Sequence, residues 1–143
     1  MDDWIEISDQ PLSADRAARF VTDGSAGGID VFLGTTRAEM KDGRALLALD
    51  YEAYADMAAE QMRDLARRAR ERWPIVRLAV LHRVGRVNVG EPSVVIAVSC
   101  PHRAESFEAC RFVIDALKAE VAIWKKEVWA DGSSSWVHPE AKS

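Results

Sequence analysis

The sequence predicts an α+β fold built on a largely antiparallel sheet with two or three helices. Segments in which apolar and polar residues alternate outnumber segments with a 3.6-residue apolar period. The alternating segments come in pairs, as on either side of Asp42-Gly43, which is a hairpin signal. A strand–helix–strand–strand order over residues 45–100, followed by another helix, is typical of a ferredoxin-like or hammerhead-type core. Such a likeness concerns the fold and does not indicate a function.

The N-terminal part of the chain predicts two strands and a helix. Residues 4–7 alternate like a short strand. Ser13 can accept a hydrogen bond from the first turn of a helix that runs to about Val21. A glycine-rich loop over residues 24–28 then leads to a strand over residues 29–33.

The middle of the chain predicts a hairpin and the first long helix. The strand that returns from the Asp42-Gly43 turn covers residues 45–51. Over residues 54–73 the apolar period changes to 3.6, and Pro74 ends the helix. The apolar stripe of this helix consists of Ala58, Met62, Leu65, Ala66, Ala69 and Trp73.

The C-terminal part predicts two strands, a second long helix and a hairpin. Residues 76–84 alternate, and residues 94–100 are continuously apolar like a buried strand. The apolar stripe of the helix that follows consists of Phe107, Cys110, Ile114, Leu117 and Val121. The chain then forms a C-terminal hairpin, with strands over residues 124–129 and 135–137.

The composition is that of one globular domain, expected over residues 1–143. The net charge of −4 argues against nucleic-acid binding, which usually requires a basic excess. No apolar run is long enough to span a membrane, and no apolar signal segment follows the acidic N-terminus, so a cytoplasmic location is expected. Two cysteines do not make a disulfide framework, and free thiols are expected. The arginines of the first long helix are interleaved with carboxylates and resemble a solvated face.

Two lysines near the C-terminal end are the candidate catalytic groups. Lys118 flanks the apolar stripe of the last helix, and Lys125 follows it seven residues later beside Trp124. Two ammonium groups held close together lower each other's pKa, and shielding by tryptophan would lower it further. A lysine tuned in this way can act as an acid, a base or a nucleophile. The alternative is that both are unrelated surface lysines whose stems cover apolar surface.

Three further basic residues could hold an anion. His102 and Arg103 are expected at the start of the last helix, where free amide hydrogens attract negative charge and a guanidinium adds a two-pronged donor. His102 could equally be a simple helix-start residue. Arg37 follows a strand and Gly34, and a glycine there permits either close approach of a ligand or only a bend.

Other reactive side chains carry weaker signals. Cys100, His102 and Cys110 do not match a common zinc-ligand spacing, so no metal site is expected. Cys110 lies on a core stripe, and His82 lies on the apolar face of its strand, as a hydrogen-bonded core histidine would. Neither a glycine-rich phosphate loop nor a dinucleotide fingerprint is present, and no cofactor is expected.

Taken together, these residues resemble the family of large, catalytic subunits of molybdopterin synthase. The resemblance keeps order and spacing from about Gly27 to Val137, and the ordered set is specific although no single motif is. The matching stretches are Val31-Phe32-Leu33-Gly34-Thr35-Thr36-Arg37, Leu49-Asp50-Tyr51-Glu52-Ala53-Tyr54, Arg72-Trp73-Pro74, His82-Arg83-Val84-Gly85, Pro101-His102-Arg103, Phe107-Glu108-Ala109, Leu117-Lys118 and Ile123-Trp124-Lys125-Lys126-Glu127.

The resemblance implies a sulfurtransferase that makes the dithiolene of molybdopterin from cyclic pyranopterin monophosphate. Sulfur would arrive as a thiocarboxylate on the C-terminal Gly-Gly tail of a small ubiquitin-like subunit. Two copies of the large subunit would form a homodimer within a heterotetramer that has two active sites. The alternatives are a ferredoxin-like module that binds an anion or a protein tail without catalysis, and a nucleic-acid binder that uses the arginine-rich helix.

The resemblance also implies roles for particular residues. Lys118 and Lys125 would be catalytic. Arg37, His102 and Arg103 would bind the phosphate and pterin portions of the substrate, and His102 and Arg103 could come from the neighbouring protomer. Two apolar residues would line the pocket, namely Phe32 and Ile114.

Overall fold

A computed structural model describes residues 3–137, which form three helices and nine strands. The α+β class predicted from the sequence is confirmed. The ends of the single domain expected over residues 1–143 lie outside the described residues. The helices are α1 (Ala14–Val21), α2 (Ala55–Arg72) and α3 (Arg103–Glu120). The strands are β1 (Asp3–Ser8), β2 (Gly28–Thr35), β3 (Met40–Lys41), β4 (Arg44–Ala53), β5 (Arg77–Arg83), β6 (Gly85–Asn88), β7 (Pro92–Cys100), β8 (Ile123–Trp129) and β9 (Ser134–Trp136).

The strands divide into two sheets. The first sheet has the order β1-β5-β7-β2, and its β1–β5 pair is parallel whereas the other pairs are antiparallel. The second sheet contains β3, β4, β8 and β9 in that order, with β6 also paired to β4. All pairs of the second sheet are antiparallel, and the β8–β9 pair is the predicted C-terminal hairpin. The predicted, largely antiparallel pairing is therefore confirmed, and the strands are divided between two sheets.

The helices cover the two faces of the first sheet. α2 and α3 pack on one face, where Leu65, Val80, Ile96 and Val113 are buried in the larger of the apolar clusters. α1 covers the other face through Ala17 and its neighbours. β7 carries buried residues on both faces, as its continuously apolar sequence predicts. The alternation expected over residues 76–84 is wrong for β5, because Ala79 and Leu81 are buried against α1 on its second face.

Local signals fix most of the element ends. The Ser13 hydroxyl caps α1 by accepting a hydrogen bond from the Arg16 amide at 3.1 Å. Asp42 and Gly43 both have positive φ, as the tight turn between β3 and β4 requires. The stripe expected for α3 is wrong at one position, because Phe107 is 58% exposed while the residues facing β2 and β7 are smaller.

Gly28 fixes the start of α3 against β2. A Cβ atom at this position would lie 2.7 Å from the Arg103 Cα and 2.9 Å from the Arg103 nitrogen, both of them backbone atoms. The Gly28 carbonyl also accepts a hydrogen bond from the Ser106 hydroxyl at 2.8 Å. The position of His102 and Arg103 therefore depends on the absence of a side chain at residue 28.

We expect Gly28→Ala to lower the free energy of unfolding by about 1–3 kcal/mol, because the methyl group overpacks rigid backbone. Chemical denaturation measures this loss. Gly24→Ala is the matched control, since a Cβ at Gly24 meets nothing within 4 Å. Equal stability of the two variants would show that the α3 terminus can move away from β2 at no cost.

Candidate active site at the end of the third helix

The two candidate lysines lie where α3 ends and β8 begins. Lys118 lies in the last turn of α3, and Lys125 is the third residue of β8. The connection is held by the Ala122 amide, which donates to the Gln61 side-chain oxygen at 2.8 Å. The positive charge of Lys118 lowers the pKa of Lys125, so the two amines lie within electrostatic range of each other. The catalytic role of the two lysines stays a prediction.

Lys125 is half-buried, and its pKa is lowered below that of an ordinary lysine. Loss of water around the amine is the main cause, and the Lys118 charge is the second. The carboxylates of Glu127 and Glu39 act in the opposite direction. The amine form of Lys125 is therefore populated at a lower pH than in a solvated lysine, which suits it to proton transfer or nucleophilic attack.

Trp124 does not supply the shielding that the sequence suggested. Successive residues of a strand point to opposite faces, so Trp124 and Lys125 diverge. Trp124 stacks edge-to-face on Tyr54, with 5.7 Å between ring centroids. On the Lys125 face, the β4–β8 register places Tyr51 directly opposite the lysine. Tyr51 and the residues behind it form the wall that the sequence analysis missed.

His82 stands behind Tyr51 and completes this wall. The imidazole is 4% exposed and packs edge-to-face on the Tyr51 ring, with 5.1 Å between centroids. Burial lowers the pKa of His82 to about 4, and the charges of Lys118 and Lys125 also lower it. The sequence prediction of a hydrogen-bonded core histidine is confirmed by the Nδ1 contact with the Arg83 carbonyl at 2.8 Å. The sequence did not predict that the charges of both lysines would act on this histidine.

Lys126 belongs to the opposite face of β8. Its Cα pairs with Asp50 on one side and with Trp136 on the other, and its amine lies 5.3 Å from the centroid of the Trp136 ring. Asp50 also binds Arg86 through two hydrogen bonds. The two adjacent lysines therefore lie on opposite faces of β8. Lys125 belongs to the candidate site, and Lys126 lies beside Trp136 and Asp50.

Arg37 lies in the segment that follows β2. The segment is tied down at Thr36, whose amide donates to the Glu91 carbonyl at 3.1 Å and whose carbonyl accepts from Gly90 at 2.8 Å. Glu39, two residues after Arg37, acts on the charge of Lys125. The Arg37 side chain is exposed and thus accessible to an anion.

The two predicted pocket residues lie on the same side of the first sheet. Phe32 is 37% exposed and pairs in register with Ile96, whose side chain faces α3. Ile114 lies on α3 and belongs to the same apolar cluster as Ile96. The Phe32 ring therefore offers an exposed apolar surface on the side of the sheet that α3 covers.

His102 and Arg103 lie at the other end of α3. Arg103 and Lys118 are fifteen positions apart, which corresponds to about 22 Å along the helix. The His102 side chain is 84% exposed, and its Nδ1 atom lies 3.8 Å from a carboxylate oxygen of Glu105. Arg103 is also exposed. Within one chain, these two residues and the lysine pair are therefore separate groups.

The two cysteines, which could also be reactive, are buried in the core. Cys100 and Cys110 are buried free thiols, and burial raises the pKa of each.

Within residues 3–137, no group of three or more His, Cys, Asp and Glu side chains is arranged to hold a metal ion. None of the helices in this range has the length and apolar character needed to cross a bilayer. The arginines of α2 form ion pairs, among them Arg63 with Glu60 and Arg67 with Glu71.

Comparison with known proteins gives the same family throughout. A family profile described as MoaE protein matches residues 7–120. The molybdopterin synthase catalytic subunit of Bos taurus is 46% identical over 134 residues, which cover 94% of this chain and 70% of that protein. The X-ray crystal structure of molybdopterin synthase from Staphylococcus aureus superposes with a TM-score of 0.88 at 34% identity, covering 94% of this chain and 96% of that chain.

One further solved structure shares the fold. It is the protein–protein complex of subunits 1 and 2 of molybdopterin-converting factor from Helicobacter pylori 26695. The matched chain has a TM-score of 0.70 at 18% identity, with 100% of this chain and 93% of that chain covered. At this level of identity the likeness is one of architecture.

The family match, the similar sequences and the shared two-sheet α+β fold place the chain in a class of enzymes of molybdopterin biosynthesis. The chain belongs to the MoaE family. The resemblance inferred from the sequence is confirmed by the family match and by the relatives across most of the chain.

Proposed function

We propose that this chain is the catalytic subunit of a molybdopterin synthase and acts as a sulfurtransferase. Its substrate is cyclic pyranopterin monophosphate, and its product is the dithiolene of molybdopterin. The observation that carries the proposal is the pair formed by Lys118 and the half-buried Lys125, because sulfur transfer to a phosphorylated heterocycle requires both cationic anchors and proton shuttling. The proposal keeps the cytoplasmic location expected from the sequence.

The sulfur donor in this proposal is the C-terminal Gly-Gly thiocarboxylate of a small ubiquitin-like subunit. The Helicobacter pylori structure is a complex of two different subunits of molybdopterin-converting factor, which supports an assembly of this kind. The exposed Phe32 ring offers apolar surface for a C-terminal tail.

In this mechanism the lysines would donate and accept protons while sulfur passes from the tail to the substrate. The thiocarboxylate sulfur attacks a carbon of the pterin side chain, and an ammonium group protonates the oxygen that leaves. Water then cleaves the resulting thioester, so that the tail carbon becomes a carboxylate and the sulfur stays on the substrate as a thiolate. Lys125, as the amine with the lowered pKa, accepts protons and then holds the tail carboxylate.

The second cationic group would come from a neighbouring protomer. His102 and Arg103 are exposed at the start of α3, about 22 Å along the helix from the lysine of the same chain. In a homodimer, two copies can place this end of one α3 beside the lysine pair of the other, since a two-fold axis exchanges the same patches. The heterotetramer would then hold two active sites, each built from both copies.

Mixing two inactive variants tests this arrangement. We expect Arg103→Ala and Lys125→Ala to be inactive alone and to regain about one quarter of the wild-type activity after subunit exchange, because half of the dimers are mixed and each mixed dimer has one intact site. Native mass spectrometry calibrates the exchange, because it measures the fraction of mixed dimers directly. Failure of the mixed variants to recover activity would assign His102 and Arg103 to their own chain's site or to none.

Reconstituted sulfur transfer tests the function itself. The chain is incubated with a thiocarboxylated ubiquitin-like partner and cyclic pyranopterin monophosphate, and the dithiolene product is measured after conversion to a fluorescent pterin. Formation of product with multiple turnovers supports the proposal. Binding of the partner and substrate without product would instead support the non-catalytic module that the sequence left open.

A further inference from the structure

The short connection between α3 and β8 determines how the two candidate lysines are placed relative to each other. Residues 121–122 separate the end of the helix from the start of the strand. Lys118 lies before this connection and Lys125 lies after it. Catalytic groups must be held to within about 0.5 Å of the productive geometry. Any contact that fixes residues 121–122 therefore bears on the proposed reaction.

The three backbone amides at this connection donate to different kinds of acceptor. The Val121 amide donates to the Leu117 carbonyl at 3.1 Å, and the Ile123 amide donates to the Val121 carbonyl at 2.9 Å. Both of these acceptors belong to α3 or to the connection itself. The Ala122 amide donates instead to the side-chain oxygen of Gln61 at 2.8 Å, in a partly buried position. This is the point at which α2 binds the connection.

The orientation of the Gln61 side chain follows from its partner. A backbone N–H can only donate, so the oxygen of the side-chain amide faces Ala122. Leu65, four residues later on the same face of α2, is buried in the apolar cluster that α2 shares with α3. Gln61 therefore extends from a helix that is itself fixed against α3. Loss of its oxygen would leave a partly buried amide without its acceptor, which costs more than the net value of the bond.

A second contact joins α2 to the same connection. Arg68, two helical turns after Gln61, donates to a carboxylate oxygen of Glu120 at 2.5 Å. Glu120 is the last residue of α3, so the two contacts lie on either side of the buried Val121. The ion pair is the more exposed of the two contacts, and water screens it. The hydrogen bond of Gln61 is therefore the stronger constraint on the connection.

Building on the proposed function, we propose that Gln61 is a positioning residue for sulfur transfer. Its oxygen holds the Ala122 amide and so fixes the connection between α3 and β8. The position of Lys125 relative to Lys118 follows from that connection. Gln61 acts through the backbone and not on the reacting atoms.

Hydrogen exchange of the Ala122 amide tests the structural part of this inference without partner or substrate. The exchange rate is measured by NMR on ¹⁵N-labelled protein. Gln61→Leu removes the acceptor, whereas Gln61→Glu keeps an oxygen that can accept. We expect exchange of the Ala122 amide to become about 10-fold faster in Gln61→Leu and to stay near the wild-type rate in Gln61→Glu. If the leucine variant does not fold, Gln61→Ala removes the same acceptor and favours the helix.

The sulfur-transfer assay tests the functional part. We expect Gln61→Leu to lower kcat about 10-fold with KM for the pterin within about 2-fold of wild type, because the lysines are displaced while substrate contacts remain. Gln61→Glu should recover most of the loss. Glu108→Leu is the matched control, since it removes a hydrogen bond from the Trp73 indole to α3 at 3.0 Å, ten residues before Lys118. Its kcat and its Ala122 exchange rate should stay near wild type.

A double substitution tests whether Gln61 acts through the amide of Ala122. Ala122→Pro removes this amide hydrogen, and Val121, with a ψ of 132°, already has the extended conformation that a residue before proline prefers. In the Ala122→Pro background, Gln61→Leu should change kcat by less than about 2-fold, because the donor that it would leave without a partner is gone.

Three results would overturn the inference. The first is an unchanged Ala122 exchange rate or an unchanged kcat in Gln61→Leu. The second is an equal loss of kcat in Gln61→Leu and Gln61→Glu, which would assign the effect to packing. The third is a 10-fold effect of Gln61→Leu that persists beside Ala122→Pro. Absence of sulfur transfer in the wild-type chain would contradict the proposed function, whereas the exchange experiment would still decide whether Gln61 holds the connection.

Discussion

We expect Lys118→Ala and Lys125→Ala each to lower the formation of dithiolene product by at least about 100-fold in the reconstituted assay, because each removes a group to which the proposed mechanism assigns proton transfer. Neither change should cost much stability. Lys118 is exposed at a helix end, and removal of the half-buried Lys125 relieves the desolvation that lowers its pKa. Thermal unfolding and partner binding should therefore remain close to wild type while turnover is lost.

Lys126→Ala is the matched control for this result. It removes the same kind of side chain from the adjacent position, but from the face of β8 that carries Trp136 and Asp50. We expect its turnover to stay within about 3-fold of wild type, as for a surface substitution. Normal turnover in either Lys118→Ala or Lys125→Ala would remove the assignment of these lysines as catalytic residues.

The second large effect is a loss of stability in acid that depends on His82. The pKa of this histidine falls from 6.5 in the unfolded chain to about 4 in the folded protein. Between these values the unfolded chain binds a proton that the folded protein does not, so the free energy of unfolding decreases as the pH falls through this window. The total loss is about 3 kcal/mol by the time the pH reaches the folded-state pKa.

Urea denaturation at several pH values between 7 and 4 measures this loss. His82→Gln should flatten the pH dependence in that window, because its side chain does not titrate. His102→Gln is the control, since the exposed His102 side chain gains little from folding and its replacement should leave the slope as it is. A His82→Gln variant that loses stability with acid as steeply as wild type would show that other groups are responsible.

Local patterns in the sequence were sufficient to predict most of the fold. The Ser13 cap, the Asp42-Gly43 turn and the stripe of α2 each act over a few residues, and each reappears in the structure. The division of the strands into two sheets was not predictable in the same way, because it depends on which distant strands pair. β6 was also missed, since four residues with one buried side chain carry almost no periodic signal.

The candidate site was predictable only in part. The seven-residue spacing of Lys118 and Lys125 places them at the end of a helix and the start of a strand, and their closeness follows from that local connection. The roles of Tyr51 and His82 around them depend on strand register and on the junction of two sheets, which no local pattern reports. Trp124 misled the prediction because neighbouring residues of a strand do not share a face.

The irregular pairing between Leu46 and Ala48 has a consequence for how this site tolerates insertions and deletions. Lys125 and Lys126 exchange sides if β8 slides by a single position along β4, which would present the wrong amine to the substrate. The skipped residue in β4, together with Trp129 locked in its own apolar cluster, resists such a slide. Length changes at the tip over residues 131–133 should therefore be harmless, whereas the loss of one residue inside β8 would invert the site. Whether a lysine of β8 faces the candidate site therefore depends on whether it lies an even or an odd number of residues before Trp129.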